Sequence, residues 1–92
     1  MAIFNGQSLL TIELDTSYDI SAATSAKILY KKPDGTTGEF VGVVSDTTKV
    51  SYTVGVGDID QDGTWTMQAL VVIGGLSGYG NKAFITVESS LA

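Results

Sequence analysis

The sequence predicts an all-β fold, and three observations support that prediction. Apolar and polar residues alternate with a period of two along most of the chain, as they do in strands that bury one face. No stretch of ten or more residues places its apolar residues at helical spacing. Turn-forming residues interrupt the alternating segments at intervals of about 8 to 12 residues. With 92 residues, the chain predicts one domain, spanning residues 1–92, around one thin core.

The first half of the chain predicts three strands. Apolar and polar residues alternate from Gln7 to Asp15, which predicts a strand with one solvent-exposed face. A second, amphipathic strand covers Ala26 to Lys31 and runs into the turn Lys32-Pro33-Asp34-Gly35, where proline presets φ and glycine accepts a positive φ. This hairpin pairs the second strand with a third, Thr37 to Val44, which carries apolar side chains on both faces.

The second half continues the pattern and indicates the type of fold. Residues 49–54 form a half-buried strand, and the longest alternation runs from Trp65 to Val71. Gly74-Gly75 suits a tight hairpin, and Lys82 to Glu88 forms the last strand. About seven short antiparallel strands in a chain of this length predict a single immunoglobulin-like β-sandwich.

Composition excludes several classes of function. The chain has no cysteine and no histidine, so disulfides, thiolate zinc sites, thiol nucleophiles and imidazole bases are ruled out. We therefore expect a protein that is not an enzyme and needs no cofactor. Ten carboxylates against five lysines give a net charge of −5, which repels a phosphate backbone and argues against nucleic-acid binding. The sequence shows no signal peptide or transmembrane run, so we expect no membrane partner.

The sharpest local pattern is Asp58-Ile59-Asp60-Gln61-Asp62-Gly63, whose spacing matches the start of a calcium-binding EF-hand loop. The twelfth position of such a loop should be a bidentate glutamate, but it is Ala69 here, and no helix pattern flanks the segment. A calcium site at Asp58, Asp60 and Asp62 therefore remains a minor alternative. The favoured interpretation is a turn in which aspartates accept hydrogen bonds from backbone amides and Gly63 takes a positive φ.

The same segment predicts a structural corner. Asp62, or Asp60, with Gly63 and Trp65 resembles the residues that open strand F of immunoglobulin-like domains, with Trp65 in the place of the corner tyrosine. Met67 stands where antibody domains have their second cysteine, so antibody-type domains themselves are disfavoured.

Three segments together resemble a family of tailed-phage proteins. They are Ile12-Glu13-Leu14-Asp15-Thr16 with Tyr18-Asp19-Ile20-Ser21, then Ala26 to Gly35, and Asp60-Gln61-Asp62-Gly63-Thr64-Trp65. This combination is similar to small immunoglobulin-like virion proteins that decorate phage capsids, and to the N-terminal domain of phage baseplate upper proteins. The likeness spans about Leu10 to Val87.

The resemblance implies a non-enzymatic virion component that is assembled in the host cytoplasm. The chain starts at Met1 and shows no linker or downstream region such as baseplate upper proteins carry, so we expect capsid decoration by docking on the major capsid protein. The alternatives are a tail or baseplate adaptor and a module that binds host-surface glycans, for instance through Tyr79 with Asn81.

Candidate contact residues come from the apolar and charged positions that the strands do not obviously use. Ile3 and Phe4 precede the first predicted strand, where they either dock on a partner or extend that strand, and Tyr79 lies between glycines near a hairpin tip. Four lysines form a possible cationic strip, whose alternative role is the protection of sheet edges: Lys27, Lys31, Lys32 and Lys49.

Overall fold

The computed structural model describes residues 3–4, 6, 8 and 10–89, and this part of the chain contains nine strands and no helix. The strands are β1 (Ile3–Phe4), β2 (Thr11–Asp15), β3 (Ser25–Lys31), β4 (Thr37–Val41), β5 (Val43–Ser45), β6 (Lys49–Thr53), β7 (Gly63–Ile73), β8 (Leu76–Tyr79) and β9 (Ala83–Glu88). The predicted all-β class is thereby confirmed, with two more strands than expected. Among these residues, therefore, nothing helical is long and apolar enough to cross a lipid bilayer.

The strands form two sheets. The larger sheet has the order β1-β9-β7-β3-β4, and β8 also pairs with β7, whereas the smaller sheet has the order β2-β6-β5. All pairings are antiparallel except that of β1 with β9, which is parallel. The 11-residue strand β7 is the central strand of the larger sheet. It pairs with β3 along one edge, and along the other edge its first half pairs with β9 and its second half with β8.

The core lies between the inner faces of the two sheets. Trp65, Met67 and Ile28 of the larger sheet and Val50 of the smaller sheet are fully buried, and so is Ile59 from the segment before β7. Burial of such side chains is the main favourable term in folding.

Four aromatic rings form a row through this core. Tyr52 of β6 stacks on Phe40 of β4 with ring centres 4.5 Å apart. Phe40 in turn contacts Tyr30 at 4.6 Å, and Tyr30 contacts Trp65 at 5.5 Å. The row therefore ties the smaller sheet to three strands of the larger sheet.

The predicted strand from Thr37 to Val44 is in fact two strands in different sheets. At Gly42 the chain leaves β4 and enters β5, and the Gly42 amide donates to the Ala26 carbonyl at 3.0 Å. A Cβ at Gly42 would lie 2.7 Å from a methyl carbon of Val50, so the crossing requires glycine. This change of sheet explains why apolar residues occur on both faces of the segment.

The ends of the predicted strands also differ. The first strand, expected over residues 7–15, is observed at Thr11–Asp15, and residues 7 and 9 lie outside the described residues. The expected Gly74-Gly75 hairpin forms with both glycines at positive φ, and its returning strand β8 is separate from β9. The break lies at residues 80–82, where the Gln68 side-chain amide donates to the Gly80 carbonyl at 2.9 Å.

Candidate docking surface

The turn after β3 and the corner before β7 lock onto each other. The Lys32 ammonium lies 2.9 Å from each carboxylate oxygen of Asp60, and the Gln61 side-chain amide donates to Asp34 at 2.9 Å. Pro33 packs against Gly63, whose φ is +119° and where a Cβ would lie 2.9 Å from the proline ring. Two of the segments that carry the phage resemblance are therefore in direct contact. We call this group the clasp.

The clasp is centred on Trp65, which is fully buried. Its indole N–H donates to the Gln61 carbonyl at 3.0 Å, four residues upstream, in the manner of a tyrosine corner. The Lys32 ammonium lies 5.6 Å from the Trp65 ring centre and 5.9 Å from that of Tyr30, within cation–π range. The hydrogen bond to Asp60 raises the pKa of Lys32 above its usual value. The clasp therefore ties the turn after β3 to the corner before β7.

The three aspartates of the calcium alternative do not converge. The Asp58 carboxylate accepts hydrogen bonds from the Tyr52 hydroxyl at 2.5 Å and the Gly55 amide at 2.7 Å. Asp60 forms an ion pair with Lys32, and Asp62 accepts a hydrogen bond from the Ser89 hydroxyl. Within residues 3–4, 6, 8 and 10–89, no group of three metal-ligating side chains is placed to hold an ion. The alternating spacing instead points successive carboxylates at different partners, as the turn interpretation expects.

The three predicted contact residues have different positions. Ile3 is 4% exposed and belongs to the core, because β1 pairs with β9 and turns Ile3 inward beside Val87. Because Ile3 is buried, its side chain is not available for docking in this structure. The alternative that Ile3 and Phe4 extend the first predicted strand is also wrong, since β1 is a separate strand of the larger sheet and β2 belongs to the smaller sheet. Phe4 is 43% exposed. Tyr79, on β8 rather than at the hairpin tip, is 57% exposed.

The outer face of the larger sheet carries exposed apolar side chains. Phe84 is 72% exposed and is paired with Thr66 in the ladder, while Val41 lies across from Lys27 on the edge strand β4. Leu29 lies between them on β3 and is half-buried. The sequence analysis left open whether Phe84 or Ile85 faces the core. The alternation of Ala83, Ile85 and Val87, which all face inward, was the signal that could have assigned Ile85 to the core and Phe84 to the surface.

A shallow groove of about 570 Å³ crosses this face between β4 and the break that separates β8 from β9. We call it the outer groove. Its lining residues include Leu29, Lys31, Glu39, Gln68 and Lys82.

The predicted lysine strip is only partly present. Lys27 and Lys31 share the outer face, whereas Lys32 turns into the clasp and Lys49 pairs with Glu13 at 3.4 Å on the smaller sheet. Edge protection does not explain Lys27 and Lys31, because β3 is paired with a neighbouring strand on both sides. Lys82 also lines the outer groove, and periodicity did not predict this because Lys82 is distant along the chain.

Comparison with known proteins identifies no relative: no protein-family model matches the chain, and no curated protein or solved structure matches it.

Proposed function

We propose that this chain is a non-enzymatic, immunoglobulin-like accessory protein of a bacteriophage particle, which decorates the capsid by docking on the major capsid protein. The order of the strands supports the immunoglobulin-like part. The path β9-β7-β3-β4 has the same order as strands G, F, C and C′ of the variable type, and β2-β6-β5 has the same order as strands B, E and D. By this match the Trp65 corner lies at the start of the strand that would be strand F, where that fold has its tyrosine corner.

The phage part of the proposal rests on the sequence resemblance. Two of the segments that carry it, the Lys32-Gly35 turn and the Asp60-Trp65 corner, lie in contact. Here they share an ion pair, a side-chain hydrogen bond and a proline–glycine contact, so they act as one structural unit.

The observation that carries the docking role is the exposed outer face of the larger sheet. Phe84 is 72% exposed on the regular strand β9, where it is paired with Thr66 of β7, and it shares the outer face with the exposed Val41. Exposed apolar residues that sit on a rigid sheet, rather than on a loop, lose little conformational entropy when a partner covers them. Covering Phe84 would contribute about 1.5–2 kcal/mol to association.

The test measures binding of the purified chain to phage particles assembled without it. We expect the chain to sediment with the particles, and Phe84→Ser to weaken this binding about tenfold, with an unchanged melting temperature. Val56→Ser is the matched control, because Val56 is almost fully exposed but lies in the segment between β6 and β7. Failure to sediment with particles, together with binding to isolated host envelopes, would replace capsid decoration with glycan binding.

A further inference from the structure

The outer groove differs in charge from the rest of the protein. Three of the five lysines, Lys27, Lys31 and Lys82, lie on or beside this groove, and Glu39 is the one carboxylate among its lining residues. The remaining two lysines and nine carboxylates lie elsewhere in the described chain. The groove of a protein with a net charge of −5 thus carries more lysines than carboxylates.

The positive charge of the groove is not neutralised internally. Glu39 pairs with Lys27 at 3.3 Å. Within residues 3–4, 6, 8 and 10–89, neither Lys31 nor Lys82 forms an ion pair. Every other lysine of the chain is paired, so these two ammonium groups are the ones open to an external anion.

Apolar and hydrogen-bonding groups accompany the two charges. Leu29 lies in the same groove, and Phe84 is the ladder partner of the groove residue Thr66. Gln68 adds an amide, although its nitrogen is already bonded to the Gly80 carbonyl. The groove therefore offers free cations beside an apolar surface.

We propose that the outer groove binds an acidic segment of a partner protein, in which carboxylates pair with Lys31 and Lys82 and a neighbouring apolar side chain covers Leu29. Charge complementarity supports this partner, because a cationic patch on an acidic molecule selects and orients an acidic surface. Opposite-charge pairs at an exposed rim mainly fix the register and the rate of association, whereas the apolar contact supplies affinity.

A protein segment fits these features better than a nucleic acid does. A phosphate backbone carries a charge at every residue and would extend beyond the two unpaired lysines onto the acidic remainder of the surface, whereas a protein segment can place carboxylates at Lys31 and Lys82 and uncharged residues elsewhere.

The location of the partner on a phage particle rests on the function proposed above, whereas the chemistry of the groove can be tested on the isolated chain. Particle binding that fails while an acidic peptide still binds the groove would refute the function and leave the groove intact. If particles still bind the chain after Lys31 and Lys82 are neutralised, the groove proposal is refuted and the proposed function stands.

The experiment titrates the ¹⁵N-labelled chain with a soluble dodecapeptide of alternating glutamate and leucine flanked by Gly-Ser, and follows the backbone amide shifts. We expect shifts clustered at Leu29, Lys31, Gln68 and Lys82. Lys31→Gln with Lys82→Gln should raise the dissociation constant about fivefold or more. Lys49→Gln, which removes a lysine of the smaller sheet, should change it less than twofold.

Two further probes separate the charge from the apolar contact without altering the protein. Replacing each leucine of the peptide with serine, or each glutamate with lysine, should abolish the clustered shifts. Four results would each overturn the proposal. They are undiminished peptide binding by the double lysine variant, equal binding of the lysine-substituted and the original peptide, an absence of amide shifts, and tighter binding of a dodecathymidylate than of the acidic peptide in the groove.

Discussion

The hydroxyl of Tyr52 offers a test of how the segment between β6 and β7 is anchored to the smaller sheet. It donates to the Asp58 carboxylate at 2.5 Å, while the ring stacks on Phe40 with an angle of 1° between the ring planes. Tyr52→Phe therefore removes one hydrogen bond and keeps the aromatic row. The same Asp58 oxygen still accepts the Gly55 amide, so the carboxylate stays partly satisfied.

The expected loss follows from the kind of bond that is broken. A hydrogen bond to a charged group contributes about 1.5–3 kcal/mol, and the half-buried position reduces this to about 1–2 kcal/mol. For a domain of 92 residues, that corresponds to a fall in melting temperature of about 5–10 °C. The matched control is Tyr79→Phe, whose hydroxyl has no hydrogen bond within the described residues and whose loss should change stability by less than about 0.5 kcal/mol.

The effect should also depend on pH in one direction. The hydrogen bond to Asp58, then burial, raise the pKa of Tyr52 above its ordinary value near 10. The stabilisation is therefore complete below pH 10 and is lost as the pH rises through the raised pKa. Urea unfolding of the wild type and of Tyr52→Phe should differ most at pH 8, and the difference should shrink above pH 10. Equal stability of the two proteins at pH 8, or a difference that stays constant to pH 11, would refute the reasoning.

Three further outcomes follow from the clasp and the core. Trp65→Ala should cost about 3–5 kcal/mol in urea unfolding, and a loss under about 1 kcal/mol would contradict its role as the core ring. Gly63→Ala should destabilise more than Gly57→Ala, because both have positive φ but only Gly63 has a close neighbour, so equal losses would count against the clasp contact. Lys32→Gln and Asp60→Asn should each lower the melting temperature, and the double variant should lose less than the sum of the two losses.

Local features of the fold were predictable because they depend on short stretches of sequence. The alternation in β3 and β7 gave their inward faces, and the proline–glycine turn gave the β3–β4 hairpin. The positive φ of Gly35 and Gly63 also follows from local chemistry.

Contacts between distant segments were not predictable from periodicity. The crossing at Gly42 depends on the closeness of Val50, and Ile59 is buried from a segment with no regular pattern. Alternation reports which residues share a face, but it does not report which strand lies beside which. For the same reason, the sequence placed Lys27 and Lys31 on a common strip without showing that Lys82 joins them.

The measurement that tests the central claim most directly is electron cryomicroscopy of particles assembled without the chain and then incubated with it. The proposed function predicts added density on the capsid lattice, oriented with the outer face of the larger sheet towards the shell protein. Added density on the lattice that presents this face to solvent would contradict the outer groove as the docking site. Density at the tail, or no added density, would contradict capsid decoration itself.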